Sequence, residues 1–182
     1  TGCGRGMAFY SYADLDRKKK VQSDLRVIPA DMLALSRRFQ GASELYRTTH
    51  GVHSAALCNI RDILVFAEDI GRHNAVDKVL GRCLLEGISV SDRILVTSGR
   101  ISSEILFKTA GSGIPILISK SAPTDMGVDL ARELGITLIG FVRGGGMNVY
   151  AGEERIDILR QAGMVPTVSA AARDEGNSKE ED

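Results

Sequence analysis

Between residues 93 and 142, apolar runs of strand length alternate with stretches of helical period, and no other feature of the chain restricts its fold as much. Strands are expected at 93–97, 114–119 and 137–142 and helices at 102–110 and 124–134, with 147–150 adding a further short strand. These strands are apolar without interruption, so both of their faces must be covered, as in parallel strands joined by helices that cross over the sheet. Upstream, Met32, Leu35, Phe39, Ala42 and Tyr46 recur at steps of three and four behind Pro29 and Asp31, which suit a first helical turn. Apolar runs at 52–59 and 63–67, parted by Ile60, Arg61 and Asp62, read as a hairpin. A second helical stripe, Ala75/Val76, Val79/Leu80 and Cys83/Leu84, runs to Gly87. The expected fold is α/β: a three-layer α/β/α sandwich on a mostly parallel sheet with one antiparallel strand.

The 182 residues suit a single domain of ordinary size. That domain is expected over 1–165, with 166–182 an acidic, disordered tail. Residues 1–12 read as a glycine loop followed by a short strand over Met7, Ala8, Phe9 and Tyr10. Residues 13–24, with Arg17, Lys18, Lys19 and Lys20, read as an exposed connection. The glycine-rich start Thr1-Gly2-Cys3 suggests a piece of a longer protein.

Lys+Arg and Asp+Glu both number 23, so no global field favours nucleic acid or an anionic membrane. An anionic ligand must then be held by local geometry. No apolar run approaches the roughly 18 residues of a membrane span, and no signal peptide pattern is seen, so the expected location is the cytoplasm. Three cysteines at wide spacing favour reduced thiols over a disulfide framework or a paired-cysteine zinc site. Cys58 falls in a strand and Cys83 on a helical stripe, the positions of core thiols. Cys3 differs: it lies among Gly2, Gly4 and Gly6 beside Arg5, where a thiol is accessible and its thiolate favoured. An incidental loop cysteine is the competing reading.

In an open parallel sheet, ligands bind beyond the carboxyl ends of the strands. Three such ends are unusual. Ser98-Gly99-Arg100 precedes Ser102 and Ser103 at a helix start, and free amides, hydroxyls and a guanidinium there suit phosphate. Ser119-Lys120-Ser121 repeats the arrangement before Pro123 and Thr124. Phe141-Val142-Arg143 runs into Gly144, Gly145 and Gly146, offering a ring, a guanidinium and bare backbone to a flat ligand and its phosphate. Helix caps and turns explain each of the three separately; their convergence on one rim favours a ligand.

The densest polar stretch runs from Glu68 to Gly81 and holds Asp69, Arg72, His73, Asn74 and Asp77. His73 is a candidate base or ligand, and the alternative is a hydrogen-bonded network that ties a helix start to its neighbours, with Arg72, His73 and Asp77 supporting the rim. Zinc deaminase chemistry requires a histidine or cysteine beside a catalytic glutamate and a later Pro-Cys-x-x-Cys. Neither pattern is present in the sequence.

Five segments in order, Glu68-Asp-Ile-Gly-Arg-His-Asn-Ala-Val-Asp-Lys78, Ser98-Gly-Arg100, Gly113-Ile-Pro-Ile116, Ser121-Ala-Pro123 and Gly140-Phe-Val-Arg-Gly144 with Met147-Asn-Val-Tyr150, resemble the FdhD/NarQ family of formate dehydrogenase accessory sulfurtransferases. The likeness covers approximately residues 1–152. It implies a cytidine-deaminase-like fold without zinc, and a further N-terminal region on the order of a hundred residues. It also implies an activity: sulfur taken as a persulfide from a cysteine desulfurase and passed to the molybdenum of the bis(molybdopterin guanine dinucleotide) cofactor for formate dehydrogenase. Cys3 falls at the family's persulfide cysteine, and Phe141, Val142, Arg143, Gly144, Gly145 and Gly146 fall on its guanine dinucleotide segment. Many members have Cys-x-x-Cys in the first loop, whereas Cys3-Gly4-Arg5-Gly6 supplies no second thiol. A homodimer is expected. The alternatives are a chaperone that binds and inserts the cofactor without sulfur chemistry, and, further off, a nucleotide deaminase.

Overall fold

The computed structural model describes residues 20–143 and 145–158. A long helix, α1 (Pro29–Ala42), and a short one, α2 (Glu44–Thr49), lead into the hairpin β1 (His53–Cys58) and β2 (Ile63–Asp69). Helix α3 (Arg72–Leu85) follows, then β3 (Ile94–Thr97), α4 (Ser103–Gly111), β4 (Ile116–Ser119), α5 (Asp125–Leu134), β5 (Thr137–Arg143), β6 (Gly146–Ala151) and a 3-10 turn at Glu153–Arg155.

The six strands form one mixed sheet in the order β2-β1-β3-β4-β5-β6. Every residue of β3 and β4 is buried, the condition that makes their sequences continuously apolar. Their side chains alternate between two cores. Leu57, Leu95, Leu117 and Leu138 join Val76 and Val79 of α3, Ile105 and Leu106 of α4 and Leu130 of α5. Ala56, Ile94, Val96, Ile116, Ile118 and Ile139 join Met32, Leu35 and Phe39 of α1. The hairpin turn is made by Asn59, whose side-chain oxygen accepts the amides of Arg61 and Asp62 at 2.7 and 2.6 Å, an Asx turn.

Three expectations are corrected. The sheet is less parallel than expected: β3/β4 and β4/β5 pair parallel, while β1/β2, β1/β3 and β5/β6 pair antiparallel. Two strands, β1 and β6, therefore run against the rest, because the connection from Arg143 to Gly146 is far too short for a crossover. The first helical stripe ends at Phe39, since Ala42 is exposed and Tyr46 belongs to α2. Ser43 makes the break by accepting the Tyr46 amide at 3.1 Å as the cap of α2. The connection before α1 is anchored where it is described: buried Val21 donates its amide to Leu134 O at 2.9 Å. Its carbonyl accepts from Arg155 Nη2 at 3.3 Å. The expected strand over Met7–Tyr10, the basic residues Arg17, Lys18 and Lys19, and the acidic tail lie outside the described residues.

Gly152 closes the β6 end against β5. Its φ is +71°, and an added Cβ would lie 2.6 Å from Thr137 Cα. Gly152→Ala is expected to lower stability by about 2–4 kcal/mol through backbone strain and overpacking, measured as the free energy of urea denaturation. A loss below about 0.5 kcal/mol would contradict this packing.

Candidate functional site

The carboxyl ends of β3, β4 and β5 and the first residues of β1 are laced together by short polar side chains. Ser98 and Ser54 bond reciprocally, the Ser98 amide to Ser54 O at 3.0 Å and the Ser54 amide to Ser98 Oγ at 2.9 Å. Ser121 Oγ donates to Ser98 O at 2.9 Å, and Ser119 Oγ donates to Gly99 O at 2.7 Å. Thr124 caps α5 by accepting the Gly127 amide at 3.1 Å. The structural and the ligand-binding readings of these serines thus coexist: the hydroxyls fix the loops, and the loops form a rim. Gly99 is required here, since a Cβ would lie 2.7 Å from Cβ of Arg72 at the start of α3.

The rim borders a crevice of about 870 Å³, large enough for a nucleotide-sized ligand. Its lining includes the cations Arg47, Arg100 and Lys120 and the imidazoles His50 and His53. Phe39, Tyr46 and Phe141 supply aromatic surface, and among the described residues no carboxylate lines it. Lys120 Nζ lies 5.7 Å from the centre of the Tyr46 ring, and that ring lies 5.2 Å from His50. Burial, and then the nearby Arg72 guanidinium, push the His53 pKa below its ordinary value, so His53 is mostly neutral at pH 7. The crevice can therefore hold an anion and stack a flat ring while keeping one imidazole uncharged.

Phe141 reaches the crevice through a local distortion. Its φ is 53°, and the β5/β6 register shifts between Gly140 and Arg143. Such bulges turn a side chain away from its regular direction. Of the expected cofactor-binding residues, Ser98, Arg100, Ser121 and Phe141 line the crevice, and Gly99 lies behind it against Arg72. Val142 is buried in the core beneath α1. Gly145 is exposed and Gly146 begins β6; Gly144 and the Arg143 side chain lie outside the described residues, as does Cys3.

The stretch from Glu68 to Gly81 is a frame. Asp69 accepts from Lys78 Nζ at 2.6 Å, the Gly71 amide at 2.8 Å and Asn74 Nδ2 at 3.0 Å. His73 Nε2 sits 2.9 Å from Glu104 Oε2 and 3.2 Å from Ser102 Oγ, which joins the starts of α3 and α4. Asp77 pairs with Lys108 at 2.5 Å between the same helices. Arg72, His73 and Asp77 do not line the crevice. Cys58 and Cys83 are buried free thiols, as their sequence positions indicated. Burial pushes the Cys58 pKa up to about 12 and raises that of Cys83, so neither ionises readily.

Sequence reasoning missed the α2 wall, with Tyr46, Arg47 and His50, and the inward-facing His53. The available signals were Ser43 as a cap after Ala42 and the cluster of ring and cationic residues just before a strand.

Fold and rim together define an α/β protein with a cationic crevice at its strand ends. A family model described as the FdhD/NarQ family matches residues 1–157, and the chain belongs to that family. It is 50% identical over 154 residues to the sulfur carrier protein FdhD of Bacillus subtilis (strain 168), covering 85% of this chain and 59% of that protein. It is 45% identical over 154 residues to the sulfur carrier protein FdhD of Staphylococcus aureus (strain MRSA252), covering 85% of this chain and 58% of that one. The chain thus spans somewhat more than half the length of these relatives. A crystal structure described as that of a formate dehydrogenase accessory protein from Desulfotalea psychrophila superposes with a TM-score of 0.69 at 38% identity, over 74% of this chain and 61% of that one.

Hydrogen bonds from Lys78, Gly71 and Asn74 hold the Asp69 pKa down to about 2. A carboxyl lowered on folding adds stability above its unfolded value, near 4, and loses it as pH falls toward 2. Asp69→Asn is therefore expected to destabilise the fold at pH 7 and to flatten the decline between about pH 4 and pH 2. Urea midpoints measured across that range test this; parallel curves for variant and parent would refute it.

Proposed function

We propose that this chain is the sulfur-handling and cofactor-binding part of a sulfur carrier required for formate dehydrogenase activity. The observation that carries the proposal is the crevice: Arg47, Arg100 and Lys120 with aromatic walls and no lining carboxylate among the described residues, in a chain whose relatives are named sulfur carrier proteins. A chain of zero formal net charge would bind a phosphate-rich cargo through such a local field.

The cargo, and hence the substrate, is the bis(molybdopterin guanine dinucleotide) cofactor. Arg100 and Lys120 attract its phosphates, and Phe141 and Tyr46 offer faces to its rings. The Cys3 thiolate attacks the sulfane sulfur of a cysteine desulfurase persulfide, forming a new S–S bond and releasing the desulfurase thiolate. Delivery to molybdenum breaks that bond, and its electron pair returns to Cys3 as thiolate. The two electrons that convert sulfane sulfur to sulfide come from the reduced metal or an external thiol. One thiol suffices for this relay, in keeping with Cys3-Gly4-Arg5-Gly6.

The two cores on either side of the sheet support reading the fold as a three-layer α/β/α sandwich of the cytidine-deaminase-like kind. The partners are a cysteine desulfurase, formate dehydrogenase and a second copy of the chain, and the setting is the cytoplasm. No described helix is long and apolar enough to cross a membrane.

Incubation with a cysteine desulfurase and cysteine should add the mass of one sulfur atom to Cys3, as read by peptide mass spectrometry, and Cys3→Ala should abolish the gain. Sulfur on Cys58 or Cys83 instead, or on no cysteine, would reject the relay. A Cys3→Ala chain that still supported a sulfurated cofactor in formate dehydrogenase would leave the insertion chaperone in its place.

A further inference from the structure

A carboxylate stands behind the crevice wall. Glu68, near the end of β2, accepts through Oε1 from Ser43 Oγ and from Ser54 Oγ, the latter at 3.4 Å. Both serines line the crevice, yet they are only 4% and 3% exposed. A serine hydroxyl carries one proton. With that proton directed at Glu68, each oxygen meets the crevice as an acceptor, and its bond to a carboxylate strengthens it in that role. Ser43 Oγ also takes the Tyr46 amide at 3.1 Å, which leaves it one lone pair for a ligand.

Cationic donors reach the crevice from the neighbouring strand ends and from α2. The sheet order β2-β1-β3-β4 sets Glu68, Ser54, Arg100 and Lys120 in sequence along the rim. Two strand spacings, about 10 Å, separate the strand that carries Ser54 from the one that leads to Lys120. Cations and paired acceptors thus leave from different strands, and one ligand can meet both, its phosphate at Arg100 and Lys120 and its N–H groups at the serines.

We propose that Ser43 and Ser54, held as acceptors by Glu68, read the N–H edge of a 2-amino-4-oxopyrimidine ring whose phosphates lie on Arg100 and Lys120. The inference rests on the crevice being the cofactor site proposed above. Guanine and pterin both carry this edge, a ring N–H beside an amino group, so either ring system of the cofactor could supply it. Two neighbouring acceptors match two neighbouring donors. Hypoxanthine lacks the amino group and adenine replaces the ring N–H with an acceptor; each leaves one serine oxygen without its ligand donor, and such a missing bond lowers affinity. Glu68 is a positioning residue, since it acts through the two serines.

Isothermal titration of the 182-residue chain with guanosine 5′-diphosphate, inosine 5′-diphosphate, 6-hydroxymethylpterin diphosphate and inorganic pyrophosphate tests the assignment. The parent should bind the guanine or the pterin diphosphate about tenfold tighter than the inosine one, the worth of one hydrogen bond to a polarised acceptor. Whichever of the two is preferred identifies the ring. Glu68→Met, which removes the acceptor, and independently Ser54→Ala, should bring that preference within about twofold while leaving pyrophosphate affinity unchanged. Arg100→Ala should weaken pyrophosphate and all three diphosphates alike. Preference retained in both Glu68→Met and Ser54→Ala, or absent from a parent that binds every diphosphate equally, would overturn the inference and leave the cofactor site standing. Failure of the parent to bind any of the four would overturn both.

Discussion

The reciprocal hydrogen bonds between Ser54 and Ser98 join two kinds of architecture. On one side is an antiparallel hairpin whose register follows from a tight turn; on the other are parallel strands whose register follows from crossover helices. The bonds set the start of β1 beside the end of β3, so residues 44 positions apart share one wall. Arg100, Lys120 and Phe141 come from one architecture and Tyr46, Arg47 and His53 from the other. Their common crevice exists because the two halves are stitched at this point.

The charge distribution follows a division of labour. Carboxylates on this side of the molecule are committed to cations, an imidazole or hydroxyls: Asp69 to Lys78, Asp77 to Lys108, Glu104 to His73 and Glu68 to two serines. The crevice cations Arg100 and Lys120 meet no such partner among the described ion pairs. A neutral chain thereby holds a strongly cationic spot without the self-repulsion of a large net charge. The polar stretch from Asp69 to Lys78 serves as a brace in this scheme: it ties the start of α3, against which Gly99 packs, to the start of α4.

Much of this was legible in the sequence wherever one physical cause acted alone. The strands β3, β4 and β5 follow from uninterrupted apolar runs, and the hairpin follows from two runs about a short polar turn. Cys58 and Cys83 lie in the core, where strand and helix periods put them. Reading failed where tertiary contacts overrode local pattern. Ala42 and Tyr46 continue the helical period of α1, yet Ser43 breaks the helix by capping α2, and its hydroxyl is also bonded to Glu68, 25 residues away. The antiparallel course of β6 depends on a loop length rather than on apolar period. In the site, Ser98, Arg100, Ser121 and Phe141 were found from strand-end logic, while Arg47 and His53 were missed because they lie before the first strand and at its start, and strand-end logic looks only at the carboxyl ends.

Helix α2 buries none of its six residues. It is held by the Ser43 cap, by the Ser43 contact to Glu68 and by the passage of Lys120 over Tyr46. Elements with so little buried surface open at a small fraction of the global unfolding free energy. One wall of the crevice therefore rests on few contacts. A bulky guest could enter by local melting of that wall while the sheet stays intact, and a guest gripping Arg47 and Tyr46 would raise the protection of α2 amides against hydrogen exchange far more than that of the strands.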